Sequence, residues 1–482
     1  MAVRTAAPAV DRPGPSPWPA VAWWLLPPLV LAVLGGWLVA HRYGFWYDEL
    51  YTAEVAPVGL GRLFDAFVRG DGTIAYLRDA PPSYNFPYYV VAHLWLALTP
   101  FGPDELGLRL LSLVAMTAAV AVFTRAVARL ADRRTGLFAG LLVATNPFIV
   151  AYAGEARGYA LALLATSVAA LGLARWLDGE PGALALFAVG SAFGGLFHWY
   201  AMLVTAAFAV AAVILRRREA VPVVGATAVA ALPALAVVAT ALANGVGGSG
   251  AEWIRGVGLA VPRLALRSWA GGNLVLALVV LAAAVAGACR GDRRPRVVAL
   301  WWVGLPVAVV TAGELVRPVY VDRYLLPAVI GLAVLAALGV ARCPGRWRTV
   351  ALAGLLVPSL AVTAGNVARG PREDVRGAVA AVAAAHRPGD PVVAAARWDA
   401  LGVEHYARRH HPELVADLVL PPAPVPPAAT VWVVRRVAGG VKGDVTRLAD
   451  LDRELAGRGL RVAGEDRLEG RRAVVVVQRW VG

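Results

Sequence analysis

Runs of about 17 to 25 predominantly apolar residues recur from residue 21 to residue 367, each long enough to cross a hydrocarbon layer as a helix. No other feature restricts the fold as strongly, because a bilayer admits only helices, which close their backbone hydrogen bonds internally, and closed barrels. The runs lie near 21–40, 108–130, 135–152, 158–175, 183–199, 200–215, 221–242, 265–288, 297–314, 324–341 and 349–367. With 59% hydrophobic and 16% charged residues over 482 positions, one soluble core would not absorb this surface. The expected fold class is a polytopic α-helical membrane protein of about eleven transmembrane helices.

The net charge of +14 raises the possibility of a nucleic-acid partner, but the arginines sit in small clusters between apolar runs rather than along one face. No nucleic acid is expected. Clusters at 125–134, 175, 216–218, 290–296 and 342–348 read instead as cytoplasmic loops. The first run follows Arg4 and Arg12 without a small-residue cleavage site, so residues 1–20 are expected to be a cytoplasmic tail ahead of a retained anchor. One apolar segment, 86–101, does not fit this alternation. Counted as a span, it would move every later arginine cluster to the far side. Its shortness, its flanking prolines and Tyr88, Tyr89 and Trp95 suit a juxtamembrane or re-entrant helix within one large external loop, 41–103. Cys289 and Cys343 end apolar runs beside arginines and are not expected to form a disulfide.

From residue 371 the composition changes. PREDVRGAVAAVAAAH, DALGVEHYARRH and DVTRLADLDRELAGRG predict helices, whereas DPVVAAA, VWVVRR and AVVVVQRW predict strands. A small extracytoplasmic α/β domain over 371–482 is expected, after a membrane domain over 21–370. It carries no glycine-rich phosphate loop and no metal-spaced cluster, and His405, His410 and His411 read as surface histidines on a helix.

Sorted by this topology, the unusual polar residues fall on the external side. The first loop has Asp48 and Glu49 in FWYDELYTAEVA, then RDAPPSYNF; later loops carry Glu155 and Arg157, His198, Glu252 and Arg255, then Arg317, Tyr320 and Arg323. Charges at a membrane boundary are costly unless paired or functional, so one shared external cavity is the economical reading.

A DE pair after the first span, a PP-aromatic segment, EARGY after the third span and RYLLP late in the membrane domain resemble the GT-C glycosyltransferases. The likeness is to the bacterial branch of protein O-mannosyltransferases and lipid A aminoarabinose transferases, and covers about residues 20 to 370. Ser83 and Asn85 depart from the commoner pattern. The resemblance implies transfer of a sugar, possibly mannose or a pentose, from a polyprenyl-phosphate donor to a glycan, lipid or protein hydroxyl of the cell envelope.

The resemblance implies that Asp48 is the base. Asp48 would also serve as N-cap of the helix that follows, but capping does not explain a second carboxylate beside it. Glu49 orients the acceptor, pairs with an arginine, or is a first-turn acid favoured by the helix dipole. Glu155 and Arg157 contact sugar and phosphate, or pair with each other at little energetic gain. Arg323 is preferred over Arg317 for the phosphate, with Tyr320 beside it, although arginines at helix ends also snorkel. Arg109 serves either purpose. His198 reads as structural or substrate-binding rather than catalytic. No cofactor and no metal are indicated. A polytopic lipid or polysaccharide transporter is the rival class, but no internal repeat is visible and the charges are not mid-span.

Overall fold

The computed structural model describes residues 23–41, 43–245, 254–437 and 442–482. The tail over 1–20 with Arg4 and Arg12, and Glu252 in the fourth external loop, lie outside the described residues. Every apolar run expected to span is helical: α1 (Leu26–Ala40), α5 (Glu105–Leu130), α6 (Arg133–Thr145) with α7 (Pro147–Ala153), α8 (Tyr159–Leu177), α9 (Ala183–Phe197), α10 (Ala201–Arg216), α11 (Val221–Ala243), α12 (Val261–Trp269) with α13 (Leu274–Arg290), α14 (Arg293–Glu314), α15 (Leu326–Ala341) and α16 (Gly345–Ala368). Seven of these runs are single helices long and apolar enough to cross a membrane, and the bent pairs bring the total to as many as 9. The pair α6–α7 bends by 65° and the pair α12–α13 by 102°. The first bend has a local cause. Asn146 caps α7 by accepting from the Phe148 and Ile149 amides at 3.0 and 3.1 Å, and Pro147 at the first position cannot continue the ladder of α6. Helices α9 and α10 are 15 and 16 residues long.

Between α1 and α5 the chain forms α2 (Tyr47–Val55), α3 (Leu60–Arg69) and α4 (Phe86–Leu98). Helix α4 occupies the segment that broke the charge alternation; its 13 residues are too few to span upright.

The arginine clusters collect at one end of the bundle. Arg129 pairs with Glu180 and Asp178, Arg175 with Glu180, Arg294 with Asp178, and Arg342 with Asp292. Loops that are distant in sequence are therefore neighbours there, as expected if the helices alternate in direction. Both cysteines are free thiols.

The C-terminal region contains α17 (Val375–Ala385), β1 (Val392–Ala394), α18 (Arg397–His410), β2 (Leu418–Val419), β3 (Thr430–Val437), α19 (Lys442–Gly457), β4 (Arg461–Glu469) and β5 (Val474–Val481). The sheet order is β2-β1-β3-β5-β4, with β1 parallel to both β2 and β3, and β5 antiparallel to β3 and β4. Strand β4 escaped the sequence reading because it is an exposed edge strand carrying RVAGEDRLE, with no apolar alternation to reveal it.

One hydrophobic core joins Phe45, Leu50 and Tyr51 near α2 with Tyr88 and Tyr89 of α4, and with Val379, Leu401, Tyr406 and Val477 of the C-terminal domain. Removing each such side chain from water contributes about 1.5–3 kcal/mol, so α2 is held between membrane helices and sheet domain rather than hanging from either. His405 corrects the surface expectation. It is buried in this seam, with Nδ1 2.7 Å from Glu54 Oε1. His410 is exposed and His411 half-exposed.

Candidate active site

Helix α2 begins at Tyr47 after an extended Trp46, whose amide meets the Glu49 carboxylate at 3.4 Å. Asp48 therefore lies inside the first turn and does not take the N-cap position that the sequence allowed it. Its carboxylate points elsewhere, with Oδ2 3.6 Å from Arg323 Nη2. Both side chains are largely buried, at 15% and 9% exposure.

Glu49 is committed to the scaffold. Arg109 donates through Nε to Glu49 Oε1 at 2.8 Å and through Nη2 to Oε2 at 2.7 Å, a planar two-bond fork. The Ala156 amide adds a third bond to Oε1 at 2.9 Å. Arg109 also donates to the Tyr43 and Gly44 carbonyls at 2.5 and 3.2 Å, so it closes the turn between α1 and α2.

The loop 154–158 is fastened along α2. Thr52 Oγ1 donates to the Ala156 carbonyl at 3.1 Å, and Arg157 Nη1 donates to the Asp48 carbonyl at 3.4 Å and the Tyr89 hydroxyl at 3.0 Å. At the other end of the loop Gly158 packs closely on the end of α9, since a Cβ there would lie 2.8 Å from the Phe197 carbonyl oxygen. The Glu155 and Arg157 side chains diverge instead of pairing. Glu155 meets Arg372 of the C-terminal domain, Nη1 to Oε2 at 2.6 Å, and is 2% exposed. Burial pushes the Glu155 carboxyl above its ordinary range, and the guanidinium of Arg372 opposes that rise.

His198, the C-cap of α9, packs its ring against Tyr159, Tyr200 and Tyr324. Desolvation, followed by the charges of Arg323 and Arg157, pushes its pKa down to about 3. The imidazole is neutral and adds no positive charge for a phosphate. Tyr320 and Arg317 stay apart from Asp48. The Tyr320 amide donates to Glu314 at 2.8 Å while its ring packs on the membrane core, and Arg317 is exposed.

Arg372, Arg472 and Trp46 escaped the sequence reading. The Trp46 ring carries three guanidinium groups, with Arg372 at 4.8 Å, Arg472 at 5.2 Å and Arg323 at 5.6 Å from its centroid. The signal was present in PRE immediately after the last apolar run, where a charge at a membrane boundary invites a partner. Its partner Glu155 is more than two hundred residues earlier, so proximity in sequence offered no hint. Among the described residues, no three His, Cys, Asp or Glu side chains gather as metal ligands would.

No family model matches this chain, and no curated protein sequence matches it. Solved structures do. ArnT from Cupriavidus metallidurans bound to undecaprenyl phosphate aligns over 95% of this chain and 98% of its own, with a TM-score of 0.58 at 16% identity. The apo state of the same protein gives 0.58 at 18% identity over the same shares. The Archaeoglobus fulgidus oligosaccharyltransferase in complex with zinc and sulfate aligns over 83% of this chain and 62% of its own, with a TM-score of 0.54 at 13% identity. This chain thus shares the fold of these proteins, the fold that its resemblance to the GT-C glycosyltransferases implied, and has seven to 9 segments long and apolar enough to cross a membrane. The likeness to ArnT extends through the C-terminal sheet domain.

Proposed function

We propose that the protein is a membrane glycosyltransferase, which takes a sugar from a polyprenyl-phosphate donor and passes it to a hydroxyl of a cell-envelope acceptor. The observation that carries this reading is the pair of Asp48 and Arg323, with Arg157 bonded to the Asp48 carbonyl, in a largely buried site on a GT-C fold. Undecaprenyl phosphate bound to ArnT, and dolichol phosphate with an inhibitory peptide in the archaeal oligosaccharyltransferase, support the class of donor.

In this mechanism Asp48 accepts the proton of the acceptor hydroxyl as its oxygen bonds to the anomeric carbon. The bond from that carbon to the carrier phosphate breaks, and the electron pair leaves with the phosphate. Arg323 and Arg157 stabilise that charge, in a site dry enough for charge-assisted bonds to count fully. Phosphate leaves without an added proton, so no general acid is required. A single displacement inverts the anomeric centre. The sugar is a hexose such as mannose or a pentose, no metal or cofactor is needed, and the arginine-rich end faces the cytoplasm while the site and the C-terminal domain lie outside.

The test is transfer of label from defined polyprenyl-phosphate sugars to fractionated envelope acceptors by the purified chain. Label should appear in one acceptor class with wild-type protein and not with Asp48→Asn. Transfer by neither protein from any donor tried, while a labelled lipid crosses the bilayer, would instead place the chain among transporters.

A further inference from the structure

Helix α4, with 13 residues, is too short to cross a bilayer, and its buried face meets the loop 154–158 instead. The sequence suggested that Tyr88 and Tyr89 are aromatics of the membrane interface, but both are buried against α2. Three contacts fix α4 in that rotation. Phe86 stacks on Phe67 of α3 with ring centroids 4.4 Å apart, His93 Nδ1 lies 3.0 Å from the Ala56 carbonyl, and the Trp95 indole donates to the Gly107 carbonyl of α5 at 2.9 Å. The Tyr51 hydroxyl of α2 donates to the Ala80 carbonyl at 2.7 Å and so holds the segment that leads into α4, while its ring lies 5.8 Å from that of Tyr89. Tyr89 is thus held in place by protein before any substrate arrives.

What Tyr89 holds is one nitrogen of Arg157. Arg157 Nη1 donates to the Tyr89 hydroxyl at 3.0 Å and to the Asp48 carbonyl at 3.4 Å; this nitrogen carries two hydrogens, so both are committed to protein. Among the described residues, Nε and Nη2 of Arg157 have no hydrogen-bond or ion-pair partner. Arg109 shows what that edge does when it is satisfied. Its Nη1 is tied to the Tyr43 carbonyl, while Nε and Nη2 grip the two oxygens of Glu49 at 2.8 and 2.7 Å. Arg157 has the same division of labour with no carboxylate on its fork, because Glu155 goes to Arg372 and the Asp48 carboxylate to Arg323. A neutral hydroxyl suits the holding task, since it accepts from Nη1 without cancelling the positive charge, as a carboxylate would.

We propose that Tyr89 is a positioning residue for the reaction: it holds Nη1 of Arg157 so that the Nε–Nη2 edge is left to grip two oxygens of the carrier phosphate. This role rests on the function proposed above, and it gives the non-spanning helix α4 a task in that function.

The test is binding of a polyprenyl phosphate without a sugar to the purified full chain, measured beside binding of the free polyprenol and beside the melting temperature. Tyr89→Phe removes one oxygen and keeps the ring against Tyr51 and Tyr88, so melting should not change. Its Kd for the phosphate should rise about tenfold, while its affinity for the polyprenol stays at the wild-type level. Arg157→Lys keeps the charge but has no fork, and should weaken phosphate binding by itself. Adding Tyr89→Phe to it should change nothing more, since an ammonium has no planar edge to orient. Should Tyr89→Phe melt lower, the Arg157→Lys background still decides, because a folding defect would persist there. Wild-type affinity in Tyr89→Phe with weakened binding in Arg157→Lys overturns the role of Tyr89 and leaves Arg157 on the phosphate. An equal loss from Tyr89→Phe in both backgrounds also overturns it, because the hydroxyl would then act through the fold or on the lipid itself. Wild-type affinity in Arg157→Lys would remove Arg157 from the phosphate, and the role of Tyr89 with it.

Discussion

The two ends of the helix bundle hold the same chemistry, arginine against carboxylate, and use it differently. At the arginine-rich end the partners are half in solvent: Arg129 and Glu180 are 42% and 31% exposed, and Arg342 and Asp292 45% and 64%. At the opposite end Arg109 and Glu49 are 8% and 2% exposed, and Arg372 and Glu155 13% and 2%. Exposed pairs gain little because water already solvates each charge, so the first end adds little stability. Charges removed from water must be paired with good geometry, and removing one partner is costly. Burial, not residue type, therefore separates anchoring charges from those that shape a site.

The sharpest way to break this comparison is to orphan a buried charge. Glu49→Ala leaves Arg109 without its fork and the Ala156 amide without its acceptor, and should cost about 3–5 kcal/mol in a thermal or denaturant measurement of the purified protein. A cost under about 1 kcal/mol would mean that this end behaves like the other.

Next in size is Asp48→Asn, expected to lower turnover by about a hundredfold or more with unfolding unchanged. Because the cap of α2 is Trp46, the amide has no capping duty to preserve, and a fully active variant would remove Asp48 from the chemistry. Arg323→Ala and Arg157→Ala should each weaken use of a subsaturating donor by about 2 kcal/mol, with only partial recovery in Arg323→Lys, whose ammonium lacks the planar fork.

His198 sharpens the comparison through pH. Its folded pKa of about 3 lies below the ordinary value of 6.5, so the unfolded chain binds the proton more readily. Its neutral burial is free of penalty above pH about 6.5, and stability falls as the pH drops below that value. Wild type should lose about 1.4 kcal/mol relative to His198→Asn on moving to pH about 5.5, and parallel stability curves for the two would show the imidazole to be solvated. The smallest effect belongs to the exposed end, where Glu180→Gln should change stability by less than about 1 kcal/mol.

Much of the architecture was legible because the bilayer simplifies the code. Apolar length marks a spanning helix without reference to any distant residue, and the expected runs are all helical. In the sheet domain the helices α17, α18 and α19 and the strands β1, β3 and β5 showed their periodicity, while β4 and the two-residue β2 did not. At the site, the sequence brought forward Asp48, Glu155, Arg157 and Arg323 as unusual polar residues at one boundary. It left open what each one faces.

Those choices required the folded chain. Sequence alone determined that the apolar runs form helices with arginine clusters between them, because transfer of a segment from water to hydrocarbon depends on that segment's own composition. Tertiary structure decided that Glu49 belongs to Arg109, that Glu155 belongs to Arg372 rather than to Arg157, and that His405 lies in the seam against Glu54. A carboxylate buried in protein takes whichever cation the packing brings within about 3 to 4 Å, and that is set by contacts between segments hundreds of residues apart.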